Sequence, residues 1–206
     1  MNIVKRCGML ALALLLVLGL TACGASGPEM PMEFTIDGHT LELGKTTTGD
    51  IAGWGWEVQF TGSQSEIRED AKYVACYYSV KKEDGSGNQF WVDVYVPFQK
   101  NISGDYVDFS EEEKMSRTEG VIYRVEVRKD ASENYDIAYN GMDYQDLTWE
   151  DAAEWGAAEK EGAYPTTYEL AAAQGTLKFE KGYTGEDEPG KLTVTMSTSA
   201  FSKLQK

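Results

Sequence analysis

Histidine occurs once in the 206 residues, at position 39, and cysteine three times. A single imidazole excludes the multi-histidine zinc sites and any catalytic centre that needs more than one histidine. Bases are scarce too, with 19 Lys and Arg against 34 Asp and Glu and a formal charge of −15. Nucleic acid and anionic surfaces are bound through clustered positive charge, so this balance argues against either as a partner. No serine sits in a Gly-x-Ser-x-Gly elbow. A Ser-His-acid triad would have to be built around His39, which follows Asp37-Gly38 and reads as an exposed turn residue. Long apolar runs are also missing. A bilayer span takes about 20 predominantly apolar residues, and the Leu-rich run from Met9 to Leu20 falls short of that.

What the N-terminus does contain is a graded pattern. Lys5 and Arg6 are followed by the uncharged run to Leu20 and then by Leu20-Thr21-Ala22-Cys23. A positive start, an apolar core and small residues before a cut site are the parts of an export signal, removed from the mature protein. Leu20-Thr21-Ala22-Cys23 resembles the lipobox of bacterial lipoproteins. The resemblance covers the first two dozen residues and implies cleavage after residue 22, lipid attachment at Cys23, and a chain held on the extracytoplasmic face of the cell membrane. Two or three acyl chains give a stable anchor where one gives only marginal binding. Residues 23–32, reading Cys-Gly-Ala-Ser-Gly-Pro-Glu-Met-Pro-Met, then form the lipidated terminus and a short patternless tether.

Removing residues 1–22 leaves 184 residues, and because they hold two bases and no acid the formal charge becomes −17. Half of the 14 leucines leave with the leader, whereas all 24 aromatic residues remain. Such a core points to sheet more than to long helices. Cys7 also leaves and Cys23 is lipidated, so Cys76 has no intrachain disulfide partner.

Strand patterns begin at Phe34-Thr35-Ile36, turn at Asp37-Gly38 and continue over Thr40 to Leu43. Lys72 to Lys82 and Gln89 to Val96 read as a hairpin around Glu83 to Asn88. Matching its apolar faces sets Val74, Cys76, Tyr78 and Val80 opposite Val96, Val94, Val92 and Phe90, because strand side chains alternate with period two. Val121, Tyr123, Val125 and Val127 alternate with Ile122, Arg124, Glu126 and Arg128 as another half-buried strand. Leu177 to Glu180 and Leu192 to Met196 make a last pair around Gly182 to Gly190.

An internal echo is the most informative pattern. Thr47 to Gly55 and Thr148 to Gly156 share Thr-x-x-Asp-x-Ala-x-Trp-Gly without a gap, and each follows a turn-like pair, Asp37-Gly38 and Asn140-Gly141. Thr47 or Thr148 as N-cap, with Asp50 or Asp151 at the third helical position, makes a capping-box start. Trp54 or Trp155 lies three residues beyond Ile51 or Ala152 and shares its face. The following glycine suits a left-handed stop. The expectation is therefore an α+β, sheet-dominated protein of two tandem units, residues 33–131 and 132–206, each a short helix packed on an antiparallel sheet. The second unit loosely resembles repeats of bacterial envelope lipoproteins and inhibitor-like modules, which implies binding of protein partners.

Chemistry-bearing groups are sparse. Cys76 falls on the inward face of its strand and reads as a buried structural thiol. Asp84, Ser86 and Asn88 alternate as in a calcium loop, but Gln89 stands where that loop needs glycine and no bidentate acid follows. Glu186-Asp187-Glu188 reads as a charged hairpin tip, and Glu111 to Glu113 as the acidic first turn of a short helix. No catalytic residue, metal site or cofactor is expected. The better recognition candidate is aromatic: Tyr73, Tyr77, Trp91 and Tyr95, with Asp93 among them, on the hairpin face away from Val74 and Val92. Rings on a sheet face offer a platform for a sugar or a protein surface, unless a second core layer covers them. The expected function is a lipid-anchored, non-catalytic binding module for an envelope protein or glycan, with a carboxylate-dependent envelope hydrolase as the alternative.

Overall fold

A computed structural model describes residues 29–68, 73–82, 90–97, 119–129, 135–182 and 188–204, with the side chains of 63–68, 73, 74 and 97 excepted. The leader, Cys23, the Glu83 to Asn88 loop, Gln89, Glu111 to Glu113 and the 131/132 boundary lie outside these residues, as does the side chain of Tyr73. In chain order the elements are β1 (Glu33–Ile36), β2 (His39–Glu42), α1 (Thr48–Gly53), β3 (Trp56–Arg68), β4 (Tyr73–Lys82), β5 (Phe90–Pro97) and β6 (Val121–Arg128). They continue as β7 (Ile137–Tyr139), β8 (Met142–Asp143), a 3-10 turn (Tyr144–Asp146), α2 (Trp149–Glu154), β9 (Ala158–Glu159), β10 (Thr167–Ala171), β11 (Gly175–Lys181), β12 (Pro189–Met196) and α3 (Thr198–Leu204).

Two tight hairpins form where the sequence carries left-handed formers. Asp37 and Gly38 take φ of 49° and 78°, and Asn140 and Gly141 take 53° and 76°, the successive positive values that a two-residue hairpin turn requires. The two hairpins then pair with each other through β1 and β7 in a four-stranded sheet ordered β2-β1-β7-β8. The other eight strands form a second antiparallel sheet, β3-β4-β5-β6-β12-β11-β10-β9. The protein is thus sheet-dominated, with few and short helices. Both sheets draw strands from both halves of the chain, joined at β1 to β7 and at β6 to β12. If β7 to β12 are matched to β1 to β6, each strand order reads the same from either end.

The expected β4–β5 register is the one observed: Val74, Cys76, Tyr78 and Val80 face Val96, Val94, Val92 and Phe90. This aliphatic face is the inner one, and the small sheet and the tryptophans that end α1 and α2 pack toward it. Trp56 and Phe90 meet Tyr135 at centroid distances of 5.6 and 5.5 Å, and Phe179 meets Trp155 at 5.9 Å. One hydrophobic cluster therefore runs through both halves. Burying each such aromatic or aliphatic side chain contributes about 1.5–3 kcal/mol before entropy is counted.

Two local expectations are corrected. His39 does not stand exposed in the turn; it opens β2, half-buried, with its ring stacked on Trp54 at 4.8 Å and 10°. The strict alternation of β6 also slips. Val94 pairs with Ile122 and Asp93 with Arg124, so Tyr123 is an extra residue in β6. That bulge turns Ile122 fully inward with Val125 and Val127, and leaves Val121 only partly buried.

Candidate functional site

The outer face of the large sheet is built from the residues that alternate with the buried valines. One unbroken cross-strand row passes through Gln59, Ser79, Trp91, Glu126, Thr193, Lys178, Glu169 and Ala158, one from each of the eight strands. Tyr77, Asp93 and Arg124 lie side by side in the next row. Four of the five platform residues foreseen from sequence, Tyr77, Trp91, Asp93 and Tyr95, thus share this face, and Tyr73 keeps its place in the register opposite Pro97.

They do not share one environment. Tyr95 is buried, stacked on Tyr123 at 3.9 Å and 14° and packed against Phe201 of α3 at 4.6 Å. That end of the face is a small second core layer. Tyr77 and Trp91 are only half-buried, with the Arg128 guanidinium over the Trp91 ring at 4.4 Å. Of these rings Tyr77 and Trp91 keep partial access to solvent, with one face of Trp91 covered by Arg128.

Between them runs a lattice of ion pairs that the aromatic signal alone did not reveal. Asp93 is 2 % exposed and accepts from Arg124 Nη1 at 3.2 Å and from the Tyr123 hydroxyl at 3.4 Å. The bulge explains this double contact. Two successive side chains, Tyr123 and Arg124, oppose one residue of β5 and both reach it. Burial first, and then the Asp93 charge, push the Tyr123 hydroxyl well above its ordinary pKa. Arg124 also donates to Glu126 at 2.7 Å, and Glu126 accepts from Arg128 at 3.3 Å. Burial pushes the Tyr77 hydroxyl up to about 12, and the negative charge of Glu126 adds to the shift.

The lattice continues to both edges. Lys81 pairs with Glu57 at 3.1 Å, Lys178 with Glu180 at 2.9 Å, and Lys191 with the other Glu180 oxygen. Burial works against the ionised Glu180 carboxyl, but hydrogen bonds from Lys191 and Lys178 hold its pKa below the usual value. Described charges on this face are six bases, Lys81, Arg124, Arg128, Lys160, Lys178 and Lys191, and five acids, Glu57, Asp93, Glu126, Glu169 and Glu180. The described charges of the face thus nearly balance, on a chain of −15.

The echo residues lie elsewhere and have structural work. Thr47 accepts from the Asp50 amide at 3.1 Å while Asp50 accepts from the Thr47 amide at 2.8 Å. Thr148 and Asp151 make the same pair at 3.2 and 2.9 Å. Trp54 and Trp155 are the C-caps, with φ of −77° and −75°, and Gly55 and Gly156 follow at 84° and 91°. Cys76 is a buried free thiol. Among the described residues no three His, Cys, Asp or Glu are grouped to hold a metal, and no helix is long and apolar enough to cross a membrane. Comparison with protein-family models, with curated proteins and with solved structures found no match.

Proposed function

We propose that this chain is a lipid-anchored binding module of the bacterial cell envelope. Cys23 carries the lipid, the folded part stands on the extracytoplasmic side of the membrane, and the outer face of the eight-stranded sheet is the contact surface. The observation that carries this reading is the pair of adjacent rows through Trp91–Glu126 and Tyr77–Asp93–Arg124: two half-buried rings set in charged side chains that are already fixed by one another. Residues held in place before contact lose little conformational freedom on binding.

The hydrolase alternative needs two carboxyls on opposite sides of a scissile bond, roughly 5–10 Å apart, one of them free to donate a proton. Asp93 and Glu126 instead accept from the same guanidinium of Arg124. That engagement favours binding over acid catalysis.

The same reading takes the halves as tandem units related by duplication. It is supported by the paired capping boxes, the paired left-handed turns, and strand orders that reverse onto themselves. It is also supported by the β1–β7 register, in which Phe34, Thr35 and Ile36 meet Tyr139, Ala138 and Ile137. Counting each strand back from its turn, Ile36 corresponds to Tyr139, Thr35 to Ala138 and Phe34 to Ile137, so equivalent residues exchange places about a local two-fold axis. The first unit carries two more residues between turn and N-cap than the second.

Two experiments test the function. Cys23→Ala is expected to abolish membrane retention and labelling by a fatty-acid analogue; persistent membrane association sinks the anchor. A photo-crosslinking benzoylphenylalanine at position 91 in intact cells is expected to give a discrete adduct that the same probe at exposed Thr40 does not give. No adduct at position 91 removes the outer face as the contact surface.

A further inference from the structure

We propose that the occupant of the outer face is an uncharged glycan chain, laid across the Tyr77 and Trp91 rings and hydrogen-bonded by the Arg124 and Arg128 guanidinium groups, which the buried Asp93 and Glu126 carboxylates hold in place. The inference rests on the outer face being the contact surface.

Charge narrows the choice of ligand. The whole chain is at −15, so an anionic polymer is repelled at long range. A cationic partner is drawn to the acidic remainder of the surface rather than to a face whose described bases and acids pair with one another and nearly balance. An uncharged ligand meets no such field. Chemistry narrows it further. The cores of protein interfaces are depleted in charged residues, and covering ion pairs with an apolar protein surface costs their desolvation without replacement. Here the charged lattice occupies the middle of the sheet, with Asp93 and Glu126 both buried within it.

A pyranose ring fits these constraints. One of its faces is aliphatic and lies on an aromatic ring, while its hydroxyls both donate and accept. They can accept from Arg124 and Arg128, the partly exposed members of the lattice, in exchange for water. Tyr77 and Trp91 sit on adjacent strands and are offset by two residues in the register, since Tyr77 faces Asp93 and Ser79 faces Trp91. Diagonal neighbours of this kind lie about 7–8 Å apart. One chain can therefore meet both rings.

The test uses the full lipidated protein in detergent with cellohexaose, chitohexaose and maltohexaose, followed by calorimetry and tryptophan emission. At least one is expected to bind with a dissociation constant of about 1 mM or tighter. Trp91→Ala and, separately, Tyr77→Ala are expected to weaken binding by roughly tenfold, the loss of a ring contact. Hydrogen exchange on the unsubstituted protein is expected to show protection at β5 and β6, a readout independent of whether either variant folds. No binding by any of the three, or binding that both variants and the exchange pattern leave elsewhere, overturns the proposal. If position 91 instead crosslinks to a protein while no glycan binds, the contact surface stands and the glycan falls; if neither occurs, both fall.

Discussion

Arg124 Nη1 donates to both carboxylate oxygens of Asp93, each at 3.2 Å, across the β5–β6 ladder. The carboxylate is 2 % exposed and the guanidinium only partly so. The same guanidinium reaches Glu126 through its other terminal nitrogen at 2.7 Å. One cation thus bridges two carboxylates on the outer face of a sheet, Arg128 supplies the second positive charge at Glu126, and the bulge adds the Tyr123 hydroxyl at Asp93. The arrangement holds the polar centre of the face rigid between the Tyr95 cluster and Trp91.

Removing that cation leaves Asp93 buried with the Tyr123 hydroxyl but without the guanidinium. Arg124→Ala is expected to cost about 3–5 kcal/mol at neutral pH, the penalty for breaking a buried pair from one side. Its pH dependence identifies the cause. In the variant, the carboxyl stays buried and loses the guanidinium, both of which favour its protonated form, and a group raised in this way contributes stability below the unfolded pKa and loses it as pH rises. Urea titrations of the two proteins should therefore show a deficit that narrows as pH falls toward about 4. A deficit independent of pH would mean that lost packing, not charge, is responsible.

The parts of this fold that could be read in the sequence are the ones set by short-range rules. The β4–β5 register follows from alternating valines, and a shift by one residue would turn Phe90 and Val92 to the outer face. The capping boxes follow from Thr and Asp three residues apart. The Tyr123 bulge could not be read, because an inserted residue leaves the local composition unchanged while reversing the parity of Val121 and Ile122. β7 and β8 have three and two residues, too few for periodicity, and the place of β7 beside β1 is set by a pairing about a hundred residues away. For the site, Tyr77 and Trp91 were visible as rings on one face. The Arg124 lattice was visible only as a solvent-facing alternation, since nothing local tells which arginine meets a buried aspartate on another strand.

The two capping boxes make a paired prediction. Thr47→Ala and Thr148→Ala each remove the side-chain acceptor for an amide at the third helical position. Each is expected to cost about 1 kcal/mol. Thr→Ser at either site should restore most of that loss, because the hydroxyl is what accepts. Thermal melts of the four single variants check it, and a loss at one site but not the other would break the equivalence of the two helices.

Glu180 makes a prediction in pH. Its carboxyl is held below the usual value by Lys191 and Lys178 despite burial. A depressed folded pKa contributes stability that is present above the unfolded pKa and lost as pH falls through the folded one. Glu180→Gln should therefore be less stable than the unsubstituted protein at pH 7, and the gap should close below about pH 4. Denaturant midpoints across that range decide it; a gap that persists in acid would show that the glutamate acts by shape.

Two glycines separate close approach from mere flexibility. A Cβ at Gly175 would stand 1.9 Å from the Thr195 carbonyl oxygen, on the neighbouring strand of the β11–β12 ladder, where neither backbone can yield without breaking hydrogen bonds. Gly175→Ala is expected to destabilise by about 1–3 kcal/mol, the cost of forced repacking. At Gly53, the last residue of α1, a Cβ would meet nothing within 4 Å. Gly53→Ala is expected to stabilise by about 0.4–1 kcal/mol, because alanine leaves the unfolded chain less freedom to lose. Chemical denaturation of both variants beside the unsubstituted protein tests the opposite signs. A stable Gly175→Ala would mean that β11 and β12 do not run as close together as the register requires.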